Sequence, residues 1–183
     1  MKSELRYGII GAGSMGREHI ENIKVMGGAT VTAISDPHVH SQEAALAMAP
    51  GATVFTDHRA LLESGLVDAV VIATPNDTHA AVLKDVLESD LAVFVEKPLA
   101  TTVEDLKSIL AWDEKRSAMT WMGLEYRFMP PVAEAIARAK EGEAGKIHQV
   151  SIREHREPFY PKVDNWNRFA ERTGGTLVEK CCH

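Results

Sequence analysis

Six short apolar, β-branched runs, each followed by a helix-like stretch, constrain this chain more than any other feature. The runs are "RYGIIG", "ATVTAISD", "ATVF", "VDAVVIATP", "LAVFVEKP" and "AMTWMGLEY". Between them, "AGSMGREHIENIKVMG", "SQEAALAMA", "DHRALLESG", "NDTHAAVLKDVLESD" and "TTVEDLKSILAWDEKR" have helical composition. Continuous apolar runs suit strands buried on both faces, and right-handed crossovers through short connections place helices on either side. The expectation is an α/β fold, a doubly wound parallel sheet. Punctuation agrees with it. Met15, His19, Ile23 and Met26 recur at helical spacing before Gly27-Gly28 stops the first helix. Asp57, Asn76 and the Thr102/Asp105 pair stand where N-caps belong.

After Tyr126 the rhythm changes. "PPVAEAIARAKEGEAG" predicts an amphipathic helix, and "KIHQVSIREHREP" predicts a longer strand of alternating polarity. Two aromatic, basic loops and the segment "GGTLVEKCCH" follow. The change marks a boundary near Gly123, giving domains at 1–122 and 123–183, the second expected to be incomplete.

Composition narrows the function classes. The chain has 26 acidic and 20 basic residues, a net charge of −6, without the basic stripe of a nucleic-acid surface. No apolar run approaches a membrane span, and the start lacks a secretory pattern. The cysteines are Cys181 and Cys182, adjacent, which excludes a disulfide framework and points to a reducing cytoplasm. His38 and His40 form an H-x-H pair with no further ligand group evident, a solvated loop rather than a metal site. His19 is expected to pack near the glycine turn. No metal is expected.

"GAGSMG" sets Gly11, Gly13 and Gly16 in the G-x-G-x-x-G pattern after a strand and into a helix. Gly11 serves the tight turn, Gly13 the approach of a pyrophosphate, and Gly16 close packing of helix on strand. The helix start, with Ser14 and Met15, offers N–H donors and a positive dipole end to phosphate. Asp36, twenty residues after Gly16, ends the second strand, where a carboxylate accepts ribose hydroxyls and repels a 2′-phosphate. NAD is favoured over NADP.

Three further segments sit at strand ends, "ATPNDTH" (73–79), "EKPLA" (96–100) and "EYRFMPP" (125–131). With the glycine turn and the final "GGTLVEKCCH" they resemble the Gfo/Idh/MocA oxidoreductases, a family of sugar and polyol dehydrogenases. That resemblance implies a Rossmann sheet followed by the start of an α+β domain with a mostly antiparallel sheet. It makes Lys97 of E-K-P a catalytic residue beside nicotinamide and substrate hydroxyl, and a lysine in a partly desolvated cleft is a usable acid or base. Pro98 is a candidate for a cis bond. Cofactor contacts are implied at Thr74, Pro75, Asn76, His79, Glu96, Lys97 and Arg127. Asn76 is equally an N-cap, His79 equally a packed helix residue, Glu96 equally a brace for Lys97, and Arg127 nearly as well an interdomain ion pair. Trp166 and Asn167 lie where relatives contact substrate, and an aromatic face suits a sugar ring.

In relatives a Gly-Gly segment precedes an acid and, four residues later, a His. Here these are Glu179 and His183, one helical turn apart, the His relaying a hydroxyl proton and the acid orienting substrate or imidazole. Glu replaces the usual Asp, and Lys180-Cys181-Cys182 replaces a small apolar spacer, which signals a different substrate within the family. Relatives continue well past this His, so the sequence is expected to be a truncated family member. A small hydroxyl compound is the implied partner. A homo-oligomer is expected of a full-length relative and doubtful for this chain. The rival readings are a non-catalytic NAD-binding or sensing module and an S-adenosylmethionine-binding Rossmann domain, the latter leaving E-K-P without a role.

Overall fold

The apolar runs become six strands, β1 (Leu5–Ile10), β2 (Ala29–Ser35), β3 (Thr53–Phe55), β4 (Ala69–Ile72), β5 (Ala92–Glu96) and β6 (Thr120–Gly123). A computed structural model describes residues 4–153, 155 and 161–182, and in it these strands form one sheet, ordered β3-β2-β1-β4-β5-β6. Every neighbouring pair is parallel. The chain winds outward through β2 and β3, returns to β4 beside β1, and winds the other way. That reversal opens a crevice at the carboxyl ends of β1 and β4, where such sheets take ligands.

Helices α1 (Ser14–Met26), α2 (Val39–Met48), α3 (His58–Glu63), α4 (His79–Leu87) and α5 (Val103–Asp113) connect the strands. Successive strand residues feed opposite cores. Ile9 and Val71 pack with Ile20, Ile23 and Ile34, while Ile10, Val70 and Ile72 pack with Leu83, Val86 and Ile109. Two-sided burial explains why "AVVI" carries no polar alternation. Each such buried side chain contributes roughly 1.5–3 kcal/mol.

Two expected caps form. Asp57 accepts the Arg59 N–H, and Thr102 accepts the Asp105 N–H while its hydroxyl donates to the Asp105 carboxylate. Other local expectations need correction. The buried stripe of α1 is Gly16, Ile20 and Ile23, and Met26 is 63% exposed, because the sheet takes the face carrying glycine rather than methionine. Asn76 is no N-cap. A 3-10 turn, Asn76–Thr78, precedes α4, and the Asn76 amide donates to a distant carbonyl.

The described residues group into two compact units, one of 4–123 with Lys162–Cys182 and one within Leu124–Pro161. In the first, the 3-10 segment Val163–Arg168, α7 (Ala170–Thr173) and α8 (Thr176–Lys180) follow one another, with Gly174-Gly175 at positive φ between the helices. The second contains the 3-10 turn Glu125–Phe128 and α6 (Pro130–Lys140). The strand expected from Lys146 onward is not formed at 146–153 or 155, and the rest of that segment lies outside the described residues. Among the described residues no helix is long and apolar enough to cross a membrane.

Candidate functional site

At the end of β1 the glycine turn is shaped by three separate constraints. Gly11 has φ +93°, and a Cβ there would stand 2.7 Å from the Ala73 carbonyl carbon and oxygen. A Cβ on Gly16 would lie 2.0 Å from the Gly11 oxygen, so only hydrogen lets α1 start this close to the strand. A Cβ on Gly13 would meet nothing within 4 Å among the described residues. Gly13 therefore borders open space at the uncapped start of α1, and that is the fit a pyrophosphate requires. Ser14 is exposed there and Met15 half-buried.

Asp36 ends β2, 7% exposed, with Oδ2 accepting the Ala12 N–H at 2.8 Å and Oδ1 accepting the His38 N–H at 2.8 Å. A carboxylate accepts about four hydrogen bonds, so each oxygen retains capacity for a ribose hydroxyl. These bonds also fix the negative charge beside the turn.

The ends of β4 and β5 are tied to each other through His79. This residue has no exposed surface; its Nδ1 lies 2.7 Å from the Pro98 carbonyl oxygen and its Nε2 3.0 Å from that of Thr74. Burial holds its imidazole below the ordinary histidine range against the pull of both carbonyls, Glu96 and Asp77. His79 thus offers no surface to a cofactor and instead braces the two loops that carry Thr74-Pro75 and Lys97-Pro98. The Lys97–Pro98 bond is cis. Glu96 braces Lys97 as well, Oε2 accepting the Lys97 N–H at 3.2 Å. Its Oε1 is 2.8 Å from His19 Nε2, and the His19 ring stands edge-on to Phe94 at 5.0 Å. Sequence spacing gave no sign of that pairing, which joins the helix of the glycine turn to E-K-P.

Residues 162–182 run along the same carboxyl edge. Lys162 Nζ donates to Ser14 Oγ. Arg172 holds Asp77 with two donors at 3.0 and 3.4 Å, and Asn76 Nδ2 donates to the Thr173 carbonyl at 3.3 Å. Lys97 Nζ donates to the Glu179 carbonyl at 3.2 Å, and the Glu179 carboxylate pairs with Lys180 at 3.0 Å. Lys97 and Glu179 are therefore brought together, through the backbone of the acid. The helix expected to present Glu179 and His183 on one face ends at Lys180, with Cys181 as its C-cap, and His183 lies outside the described residues. Trp166 and Asn167 stand half-buried in the 3-10 segment, Asn167 Oδ1 shielded from solvent without a partner among the described residues. Arg127 is exposed on the 3-10 turn of the second unit. His38 and His40 are exposed, and no group of three or more His, Cys, Asp or Glu is placed to hold a metal ion among the described residues.

A crevice of this construction has known counterparts. The model of the Gfo/Idh/MocA oxidoreductases, with an NAD-binding Rossmann fold, matches residues 5–124. The chain belongs to that family. Among Gfo/Idh/MocA relatives, inositol 2-dehydrogenase 2 of Paenarthrobacter aurescens is 36% identical over 156 residues, 80% of this chain and 46% of that protein. The inositol 2-dehydrogenase of Rhizobium meliloti is 30% identical over 98% of this chain and 52% of its own. The Lactobacillus casei myo-inositol dehydrogenase, solved with NAD(H) and myo-inositol, superposes with TM-score 0.72 at 32% identity, covering 75% of this chain and 42% of that one. The chain thus spans about half the length of the curated relatives it matches. Its glycine turn, Asp36 and E-K-P all fall on parts of the Gfo/Idh/MocA Rossmann domain.

Proposed function

We propose that this protein is an NAD-dependent oxidoreductase acting on a CH–OH group of a sugar, polyol or related hydroxyl compound. The observation that carries the reading is the convergence of Lys97 and the Glu179 backbone at the edge that also holds the open glycine turn and Asp36. NAD, when bound, accepts the hydride released from the substrate carbon. The chain's own residues do the rest. Gly11, Gly13, Ser14, Met15 and Gly16 seat the pyrophosphate; Asp36 takes the ribose hydroxyls and disfavours NADP; Thr74, Pro75, Asn76 and Glu96 line the path toward the nicotinamide. Lys97 and His183 take and relay the hydroxyl proton, Glu179 orients the substrate, and Trp166 and Asn167 flank it. Arg127 and the α+β domain expected over 123–183 belong to the same reading, as does self-association of a full-length relative. The adjacent pair Cys181 and Cys182 suits a reducing cytoplasm.

The test is to titrate the purified chain with NAD and NADP and then add myo-inositol and other polyols while following nicotinamide absorbance. NAD binding with an absorbance rise on adding a polyol is expected of the enzyme. Binding with no absorbance change favours an NAD-binding module instead. Binding of neither dinucleotide overturns both.

A further inference from the structure

We propose that Lys162 is a ligand of the cofactor pyrophosphate, carried to the glycine turn by a segment 148 positions further along the chain. The inference rests on the NAD-binding reading of the turn and adds a residue that the glycine pattern does not contain. Lys162 Nζ donates to the hydroxyl of Ser14, the first residue of α1, beside the open space in front of Gly13. That is where the fold presents N–H donors and a positive dipole end to phosphate, and where no acidic residue occupies the first turn.

The charge balance around Lys162 points the same way. Arg17 and Lys180 are its positive neighbours, and Glu96 and Glu179 its negative ones. Both acids are already engaged, Glu96 with His19 and the Lys97 N–H, Glu179 with Lys180. Among the described residues no carboxylate pairs with Lys162, and a half-buried ammonium is left on a neutral hydroxyl. Burial and the two cations hold it below the ordinary lysine range. A pyrophosphate at Ser14 supplies the missing negative charge and gives the ammonium anionic acceptors in place of a neutral one. Presentation of the lysine is fixed as well. Asp164 and Asn165 turn the chain at φ 53° and 50°, and the Asn165 N–H donates to the Lys162 carbonyl at 2.9 Å. Asn and Asp are the side chains that tolerate this backbone best.

The experiment compares the full chain with Lys162→Ala and Lys162→Arg, binding NAD, ADP-ribose and adenosine by calorimetry at two salt concentrations. ADP-ribose keeps the pyrophosphate and lacks nicotinamide, and adenosine lacks both. Expected for Lys162→Ala is an affinity loss of about tenfold or more for NAD and ADP-ribose, a shallower salt dependence, and unchanged adenosine binding. Lys162→Arg should restore most of the loss. Equal loss of adenosine would mean the variant disturbs the site generally and would overturn the proposal, as would wild-type ADP-ribose affinity in Lys162→Ala. Failure of the parent chain to bind any dinucleotide strikes the underlying NAD reading instead.

Discussion

Three glycines of one motif have separable physical tasks, and substitution separates them. An added methyl at Gly16 must displace the Gly11 carbonyl, from which it would stand 2.0 Å, so α1 cannot seat on β1 without backbone movement. Gly16→Ala is expected to lose on the order of 1–3 kcal/mol or more, read as a lower Tm without ligand. Gly13→Ala meets no other part of the described residues within 4 Å, so its Tm should fall far less than that of Gly16→Ala. Its affinity for NAD should nevertheless fall about tenfold, because the methyl occupies the approach of the pyrophosphate. A Gly13→Ala chain that bound NAD normally would remove the glycine turn from the site. At this scale the motif was legible because each glycine answers a steric demand of its own backbone. Lys162, Arg172 and His19 were not legible. Their partners are Ser14, Asp77 and Glu96, remote in sequence, and a lone basic residue carries no mark of where the chain will return it.

Between elements, His79 is the clearest test of how the site is held. It opens α4 and links the β4 and β5 loops through the carbonyls of Thr74 and Pro98. A neutral ring has a single N–H and donates to one carbonyl at a time, and burial resists a second proton. With its folded pKa depressed below the ordinary histidine range by burial, the unfolded chain binds that proton more readily. Stability from this group is therefore whole above the unfolded value and is lost as pH falls through the folded one. The chain's Tm is expected to drop between about pH 7 and 5, and His79→Gln, less stable at neutral pH, should show a flatter profile. Parallel profiles would mean that His79 does not titrate on unfolding. Elements themselves were readable from sequence wherever the deciding chemistry is local, as at the Asp57 and Thr102 caps. Asn76 shows the limit, since a 3-10 turn puts Thr78 rather than Asn76 ahead of α4, and the Asn76 amide donates to the remote Thr173 carbonyl.

Across the whole molecule, burial separates the two units more sharply than composition does. The sheet unit buries its strands on both faces, and α4 buries His79, Val82, Leu83, Val86 and Leu87. In the other unit α6 buries none of its eleven residues, though Val132 and Ile136 on it are apolar and stand 37% and 40% exposed. Amphipathic spacing made this helix legible, yet spacing specifies a face without specifying what covers it. A helix of eleven residues without tertiary packing is marginal in water, since nucleation costs more than so short a ladder returns. Amide exchange should therefore protect 79–87 close to the global limit and leave 130–140 exchanging orders of magnitude faster, by about the difference between global and local opening. Such exchange, measured residue by residue on the 183-residue chain, should be unaffected in 130–140 by NAD and slowed further in 79–87. Equal protection of the two helices would show that the apolar face of α6 is covered in solution, and a concentration series would then identify a second copy of the chain as the cover or exclude it.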